Sequence, residues 1–334
     1  MVVTEMATPT SEDFSHATER HRRELLAHCY QMLGSVHDAE DLVQETMLRA
    51  WRARDQFDGT RASMRTWLHR IATNACLTAL AGRTRRPLPS GLGAPGDDPD
   101  EPLIGGHEVP WLQPFPDALL DGDPAAALLS SGRLRLALVA AMQLLPPRQR
   151  AILILREALG LPATEIAEVL DTTTAAVNSG LQRARARLAE ARVDEDRLRQ
   201  PADAGSRALI DRYVAAFRSA DITALKRLLA QDVVLEMPPF LNWYAGRRDY
   251  AGFIARVFRT RGTDWQMIPV GAGGQPAVAA YVRSDGEEYR LHTLWVFSVA
   301  QGRIERNVVF GDPAVWDLFG LERTITGLGG DAGP

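Results

Sequence analysis

The chain has 334 residues, 46% of them apolar and 24% charged, with a net charge of −4; at about 100–200 residues per domain that describes two or three globular domains and excludes a wholly disordered chain. No apolar stretch approaches the roughly 20 residues of a membrane helix, and the first 20 residues, with Glu5, Glu12, Asp13 and Glu19, lack the apolar block of a secretory signal, so a cytoplasmic protein with no membrane partner is expected. Two cysteines, Cys29 and Cys76, are too few for a disulfide framework or a Cys-rich zinc site and sit among apolar neighbours as buried thiols; no cofactor is called for.

The charge is uneven: +1 over residues 1–90, −8 over 91–132, +3 over 133–199 and zero over 200–334. The −8 stretch has no Lys or Arg and is rich in Gly and Pro (PLPSGLGAPGDDPDEP, then VPWLQPFPD). Such a composition cannot bury enough apolar surface to fold alone. Residues 87–123 are therefore read as an acidic flexible linker, in which Trp111, Leu112 and Phe115 form an apolar island able to dock on a neighbour. Its acids could also mask Arg-rich faces elsewhere in the free protein.

In chain order, Leu25, Leu26, Cys29, Met32 and Leu33 recur at helical spacing, and Gly34 ends that helix. Asp38 fits as the N-cap of a second helix with the apolar arc Leu42, Val43, Thr46, Met47 and Ala50. Asp38, Asp41 and Glu45 line one edge of it, which on spacing alone is a dipole-favoured, solvated face. A third helix, from about Ala62 to Ala81, buries Trp67, Leu68, Ile71 and Ala75 and exposes His69, Arg70, Thr73 and Asn74. The strings DAEDLVQETMLRAW (38–51) and TWLHRIATNACL (66–77) strongly resemble region two of the sigma-70 family, in its extracytoplasmic-function branch. The resemblance covers 15–86 and implies that Asp38, Glu40, Asp41, Gln44 and Glu45 dock on the clamp helices of core RNA polymerase. It also implies that the Asp58 to Ser63 loop and the third helix read a melted minus-ten element, for which Arg61, Arg65, Arg70 and Asn74 supply cations and polar groups suited to single-stranded DNA.

Beyond the linker, Leu134, Leu138, Ala141 and Leu145 define an amphipathic helix. LPPRQRAILILREALG (145–160), LPATEIAEVL (161–170) and DTTTAAVNSGLQRARARL (171–188) then give the pattern of a helix-turn-helix with an Arg-rich second helix. Val177, Leu181, Ala184 and Leu188 face the core, which turns Asn178, Ser179, Gln182 and Arg183 outward as small, amide and guanidinium groups able to pair with base edges in a major groove. The segment 124–199 resembles region four of the same family, which binds the minus-thirty-five element as duplex. That resemblance implies base contacts from Asn178, Ser179, Gln182 and Arg183, and phosphate contacts from Arg185, Arg187, Arg148 and Arg150. Gly180, which costs about 1 kcal/mol of helix propensity relative to Ala, is expected to remove a contact on the DNA side.

After a weaker boundary at Gln200 to Gly205, helices at Arg207 to Ser219, Ile222 to Leu229 and Arg247 to Arg259 accompany a strand at DVVLEM and the runs AVAAYV, EEYRLHTLWVFSV and RIERNVVF, the last two joined at Gln301-Gly302. Helices first and a curved sheet after describe an α+β cone. YVAAFRSADITALKRLLAQDVVLEMPP, WYAGRRDYAGFIARVF and GRIERNVVFGDP resemble the SnoaL-like, nuclear-transport-factor-like superfamily, giving a domain at 205–323. Such cones bind small hydrophobic molecules, and some are isomerases with a buried carboxylate base. Here Met237 stands where the ketosteroid-isomerase-like members carry that acid; Glu236 points the other way, leaving Asp312 and His292 as weaker candidates.

The resemblances together describe a multidomain protein: two all-α sigma modules and a C-terminal α+β cone. They imply an alternative sigma factor, not an enzyme, that binds core RNA polymerase and promoter DNA and is modulated by its own cone, which can hold a small hydrophobic ligand. A DNA-tethered isomerase or cyclase and a ligand-responsive DNA-binding regulator are the alternatives. Neither needs the polymerase-docking helix DAEDLVQET.

Overall fold

The computed structural model describes residues 11–60, 62–122, 132–190, 204–284 and 286–326. Its helices are α1 (Ser11–Glu19), α2 (Arg22–Leu33), α3 (Val36–Arg52), α4 (Met64–Leu80), α5 (Leu136–Met142), α6 (Pro147–Glu157), α7 (Ala163–Val169), α8 (Thr174–Glu190), α9 (Ala204–Arg218), α10 (Ile222–Leu228), α11 (Arg247–Arg261) and α12 (Pro313–Leu318). The strands are β1 (Leu229–Glu236), β2 (Trp243–Ala245), β3 (Trp265–Ala272), β4 (Gln275–Arg283), β5 (Glu288–Ala300), β6 (Arg303–Phe310) and β7 (Thr324–Thr326). Arg61 and the boundary residues Gln200 to Asp203 lie outside the described residues. Among the described residues no helix is long and apolar enough to cross a membrane, and no cluster of His, Cys, Asp or Glu is placed to hold a metal. The chain divides into two units, the first containing α1 to α4 and α6 to α8, the second containing Arg85–Leu119, α5 except its last residue, and the C-terminal segment.

In the first unit α2 ends as expected, on Gly34 in the left-handed region (φ 70°), whose N–H donates to Tyr30 O. The cap of α3 differs: Ser35 accepts from the Asp38 N–H at 3.2 Å, which places Asp38 in the first turn. Ser63 caps α4 in the same way, accepting from Thr66 N at 3.1 Å. His69 and Thr73, expected on the outer arc of α4, are fully buried. The helix is enclosed by α2, α3 and α6 rather than by one neighbour, so its buried arc is wider than its apolar stripe. The two cysteines meet in the same core, where contact with Cys29 and burial push the Cys76 thiol up.

Two residues read as facing DNA turn inward. Arg150, only 3% exposed, donates to the carbonyls of Met142 (2.9 Å), Gln143 (3.2 Å) and Leu145 (3.1 Å), to Gln143 Oε1 (2.8 Å) and to Met32 O at the end of α2. Burial lowers its guanidinium to about 10, so it remains charged at neutral pH. Gly180 is buried where α8 crosses α6, and a Cβ there would lie 2.6 Å from Ile152 Cδ1. Gly180 therefore belongs to the contact between α8 and α6, where a side chain would press on the end of Ile152, and not to the exposed face.

The second unit is a mixed sheet ordered β2-β1-β6-β5-β4-β3, with β7 on β5; only β1 and β6 are parallel. Gln301 and Gly302, both at positive φ, make the expected β5–β6 hairpin. The helices α9 and α11 close over one face, where Tyr213, Phe217, Tyr250, Trp265, Trp295 and Phe297 form the core. Phe217 meets Trp295 edge-on at 4.8 Å and Trp265 at 5.5 Å, so aromatic rings pack against one another across this core.

The segment expected as a flexible linker is a strap built onto this sheet. It pairs with the strands at both edges, Gly96 with Tyr244 of β2 and Pro116 with Ala272 of β3. Between them Ile104 N donates to Asn242 Oδ1 at 2.6 Å, Leu241 N to Ile104 O at 2.8 Å and Gly106 N to Pro239 O at 2.8 Å. One of its acids and two of its carbonyls meet the arginines of α11: Asp100 pairs with Arg259, and Arg256 donates to Pro99 O (2.8 Å) and Glu101 O. The apolar island docks as expected, with Leu112 and Phe115 buried. The turn between β3 and β4 is gripped from both sides: Gly273 N donates to Phe115 O at 2.8 Å, Gly274 N to Asp117 Oδ1 at 2.9 Å, and Leu136 N to Gln275 Oε1 at 2.7 Å. Gly273 sits at φ 61° with Leu134 O against it, so a Cβ there would collide with backbone. Phe115→Ala should lower the stability of this unit by about 3–5 kcal/mol, read as a drop in its urea midpoint by tryptophan fluorescence; an unchanged midpoint would show that the strap does not share the core.

Candidate functional site

The exposed face of α3 carries Asp41, Gln44 and Leu48, with Asp38, Glu40 and Glu45 half-buried beside it. Spacings of three and four residues put Asp41, Gln44, Glu45 and Leu48 on one face. Leu48 is 57% exposed amid polar groups. The sequence reading missed it, although its position seven residues after Asp41 was the available signal. Two of the acids already hold partners: Glu45 accepts from Arg49 at 2.6 Å and Asp38 from Arg83 at 3.0 Å. Exposed pairs of this kind are worth about 0–1 kcal/mol and exchange readily for an external partner.

On α4, Arg70 and Asn74 are exposed one turn apart. Arg65 is not on that face: its Nε donates to Glu24 Oε1 at 2.6 Å and its Nη1 lies 3.5 Å from Leu159 O. Trp67 is half-buried between Phe14 (6.2 Å) and Phe57 (5.3 Å).

Glu24 also has His21 and His69 at 3.8 Å. Burial alone would raise its carboxyl, but hydrogen bonds from His21 and Arg65 and the neighbouring positive charges outweigh it and hold it at about 2. His28 bonds Thr73 Oγ1 at 3.0 Å and meets His69 edge-on at 5.2 Å. Burial lowers His28 to about 3 and His69 to about 4.

On α8, Asn178, Gln182, Arg183 and Arg185 are exposed and Ser179 is half-buried. Arg183 donates to Ser179 Oγ at 2.5 Å, one turn back, and Arg185 pairs with Glu157. Val177, Ala184 and Leu188 face the core as read, and Leu181 is half-buried. Arg148 and Arg187 are exposed.

Inside the cone, Tyr213 and Tyr250 hydroxyls bond at 2.6 Å and Asn307 Nδ2 donates to Tyr250 at 2.9 Å. Burial pushes the Tyr250 phenol up to about 12, and burial together with the neighbouring Tyr250 pushes Tyr213 up as well. Glu236 is fully buried, paired with Arg306 and accepting from Ser90 N of the strap at 2.9 Å. His292 packs against Trp265 at 5.5 Å, and burial, with Arg261 nearby, holds it at about 4. Asp312 caps α12, accepting from Ala314 N at 2.9 Å.

A helix with an acidic face, a helix-turn-helix with exposed Asn178, Gln182, Arg183 and Arg185, and an α+β cone on one chain are the make-up of a modular transcription protein. The sigma-70 region 2 family matches residues 18–86, the sigma-70 region 4 family 135–188 and the SnoaL-like domain family 210–307. The chain is 47% identical over 316 residues to the ECF RNA polymerase sigma factor SigG of Mycobacterium tuberculosis H37Rv, covering 94% of this chain and 85% of that protein. It is 29% identical over 174 residues to SigW of Bacillus subtilis 168, covering 52% of this chain and 84% of that one. The crystal structure of the M. tuberculosis extracytoplasmic function sigma factor SigJ shares its fold, with a TM-score of 0.65 at 22% identity over 92% of this chain and 99% of that one. The chain belongs to the extracytoplasmic-function branch of the sigma-70 family, and it is a promoter-directing factor for core RNA polymerase with a SnoaL-like C-terminal domain.

Histidines held neutral in the fold bind protons more readily in the unfolded chain, so their stabilisation is complete above pH 6.5 and is lost as pH falls. For His28 and His69 the loss runs between pH 6.5 and about 3–4, at up to ~1.4 kcal/mol per pH unit for each. The first unit should therefore melt at lower temperature at pH 5 than at pH 7.5, and His28→Gln should flatten that slope in calorimetry.

Proposed function

We propose that Asp41, Gln44, Glu45 and Leu48 form the centre of the surface that docks on the polymerase clamp helices, with Asp38 and Glu40 at its rim. The acidic face with exposed Leu48 at its centre, within the segment that matches sigma-70 region 2, carries this reading. Arg70 and Asn74 serve the melted minus-ten strand, with Arg61 in the same role. Asn178, Ser179, Gln182 and Arg183 read the minus-thirty-five duplex, and Arg185 turns from Glu157 to a phosphate. Arg65 positions α4 through Glu24 instead of touching DNA.

The cone acts as a regulator of the sigma modules, not as an enzyme. Aromatic rings pack its core, its tyrosines bond one another and Asn307, and Glu236 is committed to Arg306 and the strap. The strap is the chain that connects the two sigma modules, and the cone fastens both of its ends, at Gly96 and at Leu134 to Leu136. Fastened or released, the cone sets the reach of that connector.

Asp38→Lys with Asp41→Lys should abolish co-purification with core polymerase at unchanged circular dichroism, and Leu48→Ala should weaken it by more than about 1 kcal/mol; undiminished binding would reject the surface. Arg183→Ala should cost ~1–3 kcal/mol at a single base pair of the minus-thirty-five element, measured by binding to a panel of point-substituted duplexes. Gly273→Val, which unfastens the strap, should change run-off transcription severalfold on a promoter served by the wild type, and equal output would reject the regulatory role.

A further inference from the structure

Two arginines of α8 are already held in the fold, and they are held by different chemistry. Arg185 pairs with Glu157 in the last turn of α6, so a carboxylate matches its charge. Arg183 donates from Nη1 to Ser179 Oγ at 2.5 Å, one turn back on its own helix, and has no other partner among the described residues. A hydroxyl fixes a guanidinium without neutralising it.

Helical side chains lean toward the N-terminus and meet neighbours three and four positions back, so the Arg183 chain runs over Ser179. Ser179 is half-buried beside Gly180, whose site lies against Ile152 of α6, whereas Arg183 is exposed. The holding group thus sits at the rim of a helix contact, and the held group faces outward. Of the five N–H donors of a guanidinium one goes to Ser179, and the edge formed by Nε and Nη2 stays open. Two donors side by side match two adjacent acceptors, which in the major groove only guanine offers, at N7 and O6. Adenine and cytosine present an amino donor there, and thymine a single acceptor. A long flexible side chain that must be immobilised on contact weakens binding, and one already held does so less.

We propose that Ser179 is a positioning residue: it holds Arg183 ready for a guanine of the minus-thirty-five element and sets the specificity at that base pair without touching the base. This rests on the base-reading role given to Arg183 above and defines the part that Ser179 plays in it.

The test uses holoenzyme assembled from core polymerase and the full-length factor. Competition binding compares a promoter served by the wild type with duplexes carrying each point substitution in its minus-thirty-five element. The wild type should prefer guanine at one pair, and Arg183→Ala should erase that preference. Ser179→Ala, in which alanine favours the helix, should weaken the preference by about 3- to 10-fold at that pair and at no other. Ser179→Thr, which keeps the hydroxyl, should restore it. In the Arg183→Ala background Ser179→Ala should add nothing. Glu157→Gln, which frees Arg185 instead, should raise affinity for every duplex alike and steepen its salt dependence. Uniform weakening of all duplexes by Arg183→Ala would remove the base-reading role and the positioning role with it. If Arg183→Ala acts at one pair while Ser179→Ala acts at another, acts equally without Arg183, or has no effect, base reading stands and the positioning role is overturned. It is overturned too if the pair read by Arg183 prefers a base other than guanine, or if Glu157→Gln relaxes that pair as Ser179→Ala does.

Discussion

An open sheet leaves a row of unpaired N–H and C=O groups at each edge, and something must cover them. In this protein the two edges belong to β2 and β3, and the same stretch of chain reaches both. That requirement explains why a Gly- and Pro-rich segment with no core of its own is ordered. Its backbone finds partners on Asn242, Leu241, Pro239 and Gly273, the carbonyls of Pro99 and Glu101 take Arg256, and the Asp100 carboxylate takes Arg259. Part of the negative charge that marks residues 91–132 thus meets an arginine of α11.

Local signals carried most of the architecture. Periodicity and turn chemistry placed α2, α3, α4, the helix-turn-helix and the β5–β6 hairpin, because each is determined by residues within a few positions of one another. The strand β3 was not legible: it contains Pro269 and Gly271, which read as a break, and is tolerated because β3 is an edge strand. The strap was illegible for a related reason, since its ordering depends on partners more than 100 residues away.

Among the residues read as contacts, those placed by helix phase alone lie where that phase puts them: Asp41, Gln44, Asn178, Gln182 and Arg183 are all exposed. The misreadings were polar residues that the fold itself uses. Arg150 satisfies a turn's carbonyls, Arg65 neutralises Glu24, and His69 and Thr73 fill the junction of α2 with α4. A hydrogen-bond partner contributed by a distant helix leaves no trace in local spacing. Gly180 shows the converse, where an apparent defect in a recognition helix is the space that Ile152 occupies.

The order of elements along the chain has a temporal consequence. The strap is synthesised before every strand that receives it, and about 200 residues separate Gly105 from Phe310 at the end of β6. At roughly 5–20 residues per second, a ribosome takes on the order of 10–40 s to cover that distance. For that interval each nascent molecule presents its first sigma module and a strap with nowhere to bind. The fastening of the strap is therefore a property of the finished chain, acquired last.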